Sequence, residues 1–177
     1  MAKKRDIYNY KNPTYYAIRD RMRDVISAYS NAAKWYATIK EVTWAEFGLV
    51  HLTDAIHHLE HIQYEYIDEF KSIMAQIGLE VEYPPTQEFV ESLEDIDKVM
   101  EVCVGIADET NKALSDFIEK SKEPEFQPLA RQVEQLQIDN SKSKSKLLEI
   151  WSMWDKNPSY SSFDNWVKHL YESEDKD

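Results

Sequence analysis

Between Trp44 and Gly78 the chain carries two stripes of residues at helical spacing. Leu49, Leu52, Ile56, Leu59, Gln63, Tyr66, Phe70, Ile73 and Ile77 recur at alternating intervals of three and four. That spacing places side chains on one face of an α-helix and on no single face of a strand. Asp54, His58, His61, Glu65 and Asp68 follow the same alternation. At ~100° per residue, this second stripe points almost directly away from the first. The stretch therefore reads as one long helix with an apolar back and a histidine and carboxylate front. Three readings of the front stand open: a solvated surface, a subunit interface, or a metal site, since His and carboxylate groups one turn apart can share an ion.

The rest of the chain repeats the helical period. Only three glycines and six prolines interrupt 177 residues, and 42% of the residues are apolar, enough for a core. A basic arm over 1–13 precedes a bundle over 14–155, and 156–177 holds a short helix and a charged tail. Within the bundle, the first helix runs from Thr14 to Val42, with Ile18, Met22, Val25, Tyr29, Ala32, Tyr36 and Ile39 inward. Thr43, with Glu46 three residues on, reads as a capping box for the second helix, Trp44–Ile77. Gly78 is its natural stop. Tyr83-Pro84-Pro85 bars helix, and Thr86 is expected to cap a third helix reaching Lys122. A fourth runs over Glu125–Asp155 and a fifth over Ser162–Glu172. The link after the second helix is either a tight reversal or a crossing of the bundle. Seven extended residues reach only ~25 Å, about half of that helix. A link that crosses the whole bundle requires part of a flanking helix to unwind.

The formal charge of −12 argues against general nucleic-acid binding and suits a cation-attracting protein. The first 24 residues differ, with Lys3, Lys4, Arg5, Lys11, Arg19, Arg21 and Arg23 against Asp6, Asp20 and Asp24. This arm reads as a solvated tail, with a weak nucleic-acid contact as its candidate role. Cys103 is the one cysteine. It lies on an apolar stripe, reads as an inert core residue, and fits a reducing compartment. No run is long enough to span a membrane, and the N-terminus lacks the apolar segment of a signal peptide, so the expected location is the cytoplasm. His57-His58-x-x-His61 lacks the His-Glu-x-x-His order of metalloproteases. The run Ser141–Lys146 alternates Ser and Lys, and reads as a solvated face or a phosphate contact. Trp151, Trp154, Phe163 and Trp166 are expected to pack the fifth helix onto the bundle end.

Three segments carry a family resemblance. Ile67-Asp68-Glu69-Phe70 leads into Ile73-Met74-Ala75-Gln76-Ile77-Gly78, a Tyr-Pro-Pro-Thr link follows, and a Glu-Pro turn joins the third and fourth helices. Together they resemble the ferritin-like superfamily, its Dps-type mini-ferritins and ferritins, over Thr14–Trp154. The resemblance implies an all-α four-helix bundle with a short fifth helix, a homo-oligomeric shell, and iron binding or storage. It also shows where this chain departs. Ferritins carry Glu-x-x-His on the second helix, and the matching inward positions fall at Gln63 and Tyr66. On the fourth helix they fall at Asn140 and Ser143, and on the first at Tyr29. The usual ferroxidase centre is therefore degenerate, and these residues are expected to form a neutral hydrogen-bonded network instead. The Dps pattern, an Asp with a Glu four residues later, meets Asp68 but finds Ser72. Any iron oxidation would need a site of another kind. Asp54, His58, His61, Glu65 and Asp68 are the candidate metal-binding face. The alternative is a non-catalytic assembly or adaptor protein that keeps the ferritin-like shape.

Overall fold

The computed structural model describes residues 13–76, 83–122, 124, 126–156 and 159–174, with side chains described from 17 to 171 within those ranges. Among the described residues, the helices are α1 (Pro13–Val42), α2 (Val50–Gln76), α3 (Ile96–Lys120), α4 (Gln127–Lys156) and α5 (Tyr160–Glu174). The basic arm lies outside the described residues except for Pro13, as does Gly78. None of the described helices is long and apolar enough to cross a membrane.

Two core clusters fix how the helices run. One joins the end of α1 (Tyr36, Ile39) to the start of α2 (Leu49, Leu52), the start of α3 (Ile96, Met100), the end of α4 (Ile150) and α5 (Phe163, Val167). The other joins the start of α1 (Ile18, Met22), the end of α2 (Phe70, Ile73), the end of α3 (Leu114, Phe117) and the start of α4 (Leu129, Val133). Thus α1 and α2 are antiparallel, as are α3 and α4, while α2 and α3 run in the same direction. The link between them must travel the length of the bundle.

The chain meets that demand by giving up helix. Residues 83–94 lie outside any helix, and α3 starts ten residues later than the apolar spacing predicts. Phe89 and Leu93, expected on the inner stripe of the third helix, instead pack from a strap against the first cluster. The strap is pinned to α1: the Gln87 amide donates to Asn31 Oδ1 at 2.8 Å, and Trp35 Nε1 donates to the Gln87 carbonyl at 3.4 Å. Thr86 caps nothing, and its hydroxyl oxygen accepts from Lys34 Nζ at 3.5 Å. The true cap of α3 is Asp95, extended at φ −153°, whose carboxylate accepts from the Lys98 amide at 2.8 Å.

The junction of α1 and α2 also differs from the expected cap at Thr43. Thr43 is buried and donates its hydroxyl back to the Ile39 carbonyl at 2.8 Å. The helix widens into a π turn over Thr43–Phe47 and breaks at Gly48, whose φ of +65° favours a residue without Cβ. The break leaves the first amides of α2 without partners in their own helix. Asp164 of α5 supplies them, its Oδ1 accepting from the amides of His51 and Leu52 at 3.0 Å each. The short fifth helix thus caps the second from across the bundle end. Asp164→Ala is expected to cost about 1–2 kcal/mol of stability, read by urea denaturation, and Asp164→Asn to recover most of it. A loss no larger than that of a surface substitution would refute the cap.

Trp151 and Trp154 close the same end by donating to the two oxygens of Asp97, at 2.9 and 3.2 Å. Trp154 also meets the buried Phe163 ring at 5.3 Å, edge to face. The aromatic tail is an internal clamp, as its spacing predicts.

Candidate functional site

At mid-height the bundle interior is polar but uncharged. Tyr29 of α1, Gln63 of α2, Thr110 of α3 and Asn140 of α4 are all buried there. Of the residues expected to form one network, Tyr66 and Ser143 share a side-chain hydrogen bond, while Tyr29, Gln63 and Asn140 do not join them. Gln63 Nε2 donates to the Leu59 carbonyl at 3.3 Å, and Asn140 Nδ2 donates to the Ala107 carbonyl at 3.0 Å. Thr110 turns its hydroxyl back to the Ile106 carbonyl. Backbone carbonyls one helical turn away, or on the facing helix, take up the donors of Gln63, Asn140 and Thr110. Among the described residues, three buried side-chain oxygens lack a protein partner: the Tyr29 hydroxyl, Gln63 Oε1 and Asn111 Oδ1. The Tyr29 and Tyr66 ring centroids are 5.6 Å apart, with the rings tilted by 51°.

These groups do not suit a di-iron centre. Such a centre needs carboxylate or imidazole donors, and none of the buried polar side chains supplies one. Burial, reinforced by the neighbouring Tyr66, Glu69 and Asp139, pushes the Tyr29 hydroxyl far above the ordinary phenol value. Burial and the charges of Asp139, Glu69 and Glu65 push Tyr66 up to about 12, against a smaller opposite effect of Ser143. Both phenols are protonated at neutral pH in the metal-free bundle. Asp139 stands at the edge of this level, and its carboxylate is engaged by Gln135 and Lys142.

The front of α2 is solvent-facing, as its spacing predicts, with Asp54, His58, His61, Glu65 and Asp68 all exposed. Their surroundings differ. Asp68 pairs with Lys71 at 3.0 Å. His58 borders a groove shared with Lys142 and Lys146 of α4 and Tyr171 of α5, where the lysines oppose a cation. Asp54 borders another groove with His51 and Lys168. Among the described residues, no three His, Cys, Asp or Glu side chains come together closely enough to hold a metal.

His61 has a partner outside the predicted stripe. Its Nε2 lies 3.2 Å from Nε2 of His57, and the rings meet edge to face at 4.4 Å. On its other side, His57 Nδ1 is 3.1 Å from Glu60 Oε2, which takes a 2.7 Å hydrogen bond from Lys40 Nζ of α1. Burial acts to raise the pKa of Glu60, but hydrogen bonds and charge from Lys40 and His57 outweigh it and hold the carboxyl below its ordinary value. The sequence showed the i, i+4 histidine spacing. It gave no sign of Lys40, which lies on another helix.

The other polar motifs are absorbed by the bundle. Cys103 is fully buried and its thiol is pushed up to about 12 by burial, so it is inert at neutral pH. In the Ser-Lys run, Ser141, Ser143 and Ser145 donate back to carbonyls four residues earlier. Lys142 pairs with Asp139, and Lys144 with Asp108.

No family model and no curated protein sequence matches the chain. Solved structures do. A mycobacterial bacterioferritin superposes with a TM-score of 0.72 at 13% identity, covering 85% of this chain and 91% of its own. The ferritin of M. penetrans superposes with a TM-score of 0.77 at 14% identity, covering 85% of this chain and 93% of its own. Two antiparallel helix pairs, a strap over residues 83–94 and a short terminal helix make this the fold that the two solved ferritins share.

Proposed function

We propose that this chain is a ferritin-like subunit that assembles into a closed homo-oligomer and gathers iron on its acidic surface, without a di-iron centre inside the bundle. The observation that carries this is the pairing of a ferritin fold, covered almost end to end, with a neutral interior at the level of Gln63 and Asn140. The formal charge of −12 draws cations to the surface. The iron-facing donors are Asp54, His58, His61, Glu65 and Asp68, exposed along α2. A single subunit gathers no three of them among its described residues. Iron held there would need donors from a second subunit, as in the Dps-type arrangement. The single thiol fits a cytoplasmic protein.

Light scattering on a sizing column, with elemental analysis of the peak, tests the proposal. The expected result is a shell many times the 20.9 kDa of one chain, carrying iron. A metal-free monomer or dimer would overturn it. That outcome would favour the second reading, a non-catalytic assembly or adaptor protein, which the uncharged interior also suits.

A further inference from the structure

We propose that His57 and His61 form a binding site for a divalent transition ion of the zinc and copper class, oriented by the Lys40–Glu60 ion pair. The site shares His61 with the proposed iron-facing donors but needs neither a shell nor iron. The two Nε2 atoms already face each other at 3.2 Å. With zinc–imidazole bonds of ~2.05 Å, that separation corresponds to an N–metal–N angle of about 100°, close to tetrahedral. One turn of helix thus presents two imidazoles at ligating distance, and the remaining positions stay open to water.

The groups behind His57 select the state a metal needs. Lys40 Nζ lies 3.2 Å from His57 Nδ1 and carries only protons, whereas Glu60 Oε2 carries only lone pairs. Nδ1 either accepts from Lys40 or donates to Glu60, and not both. When Nδ1–H donates to Glu60, the lone pair of His57 is on Nε2, aimed at His61. A carboxylate behind a ligating histidine fixes the tautomer and raises the basicity of the ring. Lys40 holds that carboxylate in place from α1 at 2.7 Å. The side chain of Glu60 is 14% exposed and that of His57 is 48% exposed, so the support is sheltered while the ligand is accessible. Imidazole pairs favour zinc and copper over magnesium or calcium.

The test is a Zn²⁺ titration of the full chain against a chromogenic chelator, with the metal-free melting temperature confirming that each variant folds. His57→Ala and His61→Ala are each expected to weaken zinc binding at least tenfold. Glu60→Gln is expected to weaken it about tenfold, the usual effect of losing such a supporting carboxylate. His169→Ala, an exposed histidine on α5, should leave affinity unchanged. Unchanged affinity in His57→Ala, or lost affinity in His169→Ala, would overturn the site. Unchanged affinity in Glu60→Gln would overturn the orienting role of the ion pair.

Discussion

Gln63→Glu is expected to destabilise the protein steeply as pH rises. Gln63 is 2% exposed, and its Oε1 has no protein partner. A glutamate there would be buried with no cation beside it, and burial disfavours the charged form. Its folded pKa would rise by about three units above the ordinary 4.3. Because the folded pKa is the higher one, folding is penalised once pH exceeds the unfolded value, and the penalty grows until pH passes the folded value. The expected loss is roughly 1 kcal/mol at pH 5 and 4 kcal/mol at pH 8. Urea denaturation at the two pH values reads the difference directly. Against a typical stability of ~5–15 kcal/mol, the loss at pH 8 is a large fraction of the total. A flat pH response would mean that the interior is wetter, or closer to a cation, than its side chains indicate.

Phe117→Ala is expected to cost about 3–5 kcal/mol, the range for deleting a fully buried aromatic ring. Phe117 is 0% exposed and meets Phe70 edge to face at 5.3 Å, so the change removes both the ring and an aromatic pair. The site is the shared floor of α2 and α3, where Leu114, Phe126 and Leu129 also meet, and several helix ends would face the same cavity. Phe117→Leu should lose less, because it conserves more of the volume. Chemical denaturation of both variants checks the order. Equal losses would indicate that the cluster collapses to fill the space.

Much of the bundle is legible in the sequence because burial imposes a period. Ile18, Met22, Val25, Tyr29, Ala32, Tyr36 and Ile39 all face the core of α1, as their spacing predicts. The substitution of neutral groups at mid-height was also legible, since Gln63 and Asn140 sit on otherwise apolar stripes. The period fails where an apolar residue is buried without being helical. Phe89 and Leu93 continue the α3 spacing backwards, yet they lie in the strap and are partly buried against the first cluster. Asp95 is the sequence signal for the true start, masked by an apolar stripe that runs on through it. The switch from Thr43 to Gly48 at the first junction has a similar cause: the hydroxyl of a Thr can bond back into its own helix as readily as it caps the next. The candidate zinc pair was half legible. His57 and His61 show the spacing of one helical turn, but tertiary structure alone brings Lys40 to Glu60.

The central claim, a ferritin-like bundle whose interior has no place for iron, is tested most directly by anomalous diffraction at the iron edge from crystals soaked in Fe²⁺. The account predicts no iron peak among Tyr29, Gln63, Tyr66 and Asn140, with any bound iron on the outer faces of the helices. A peak within coordination distance of Gln63 or Tyr66 would contradict it.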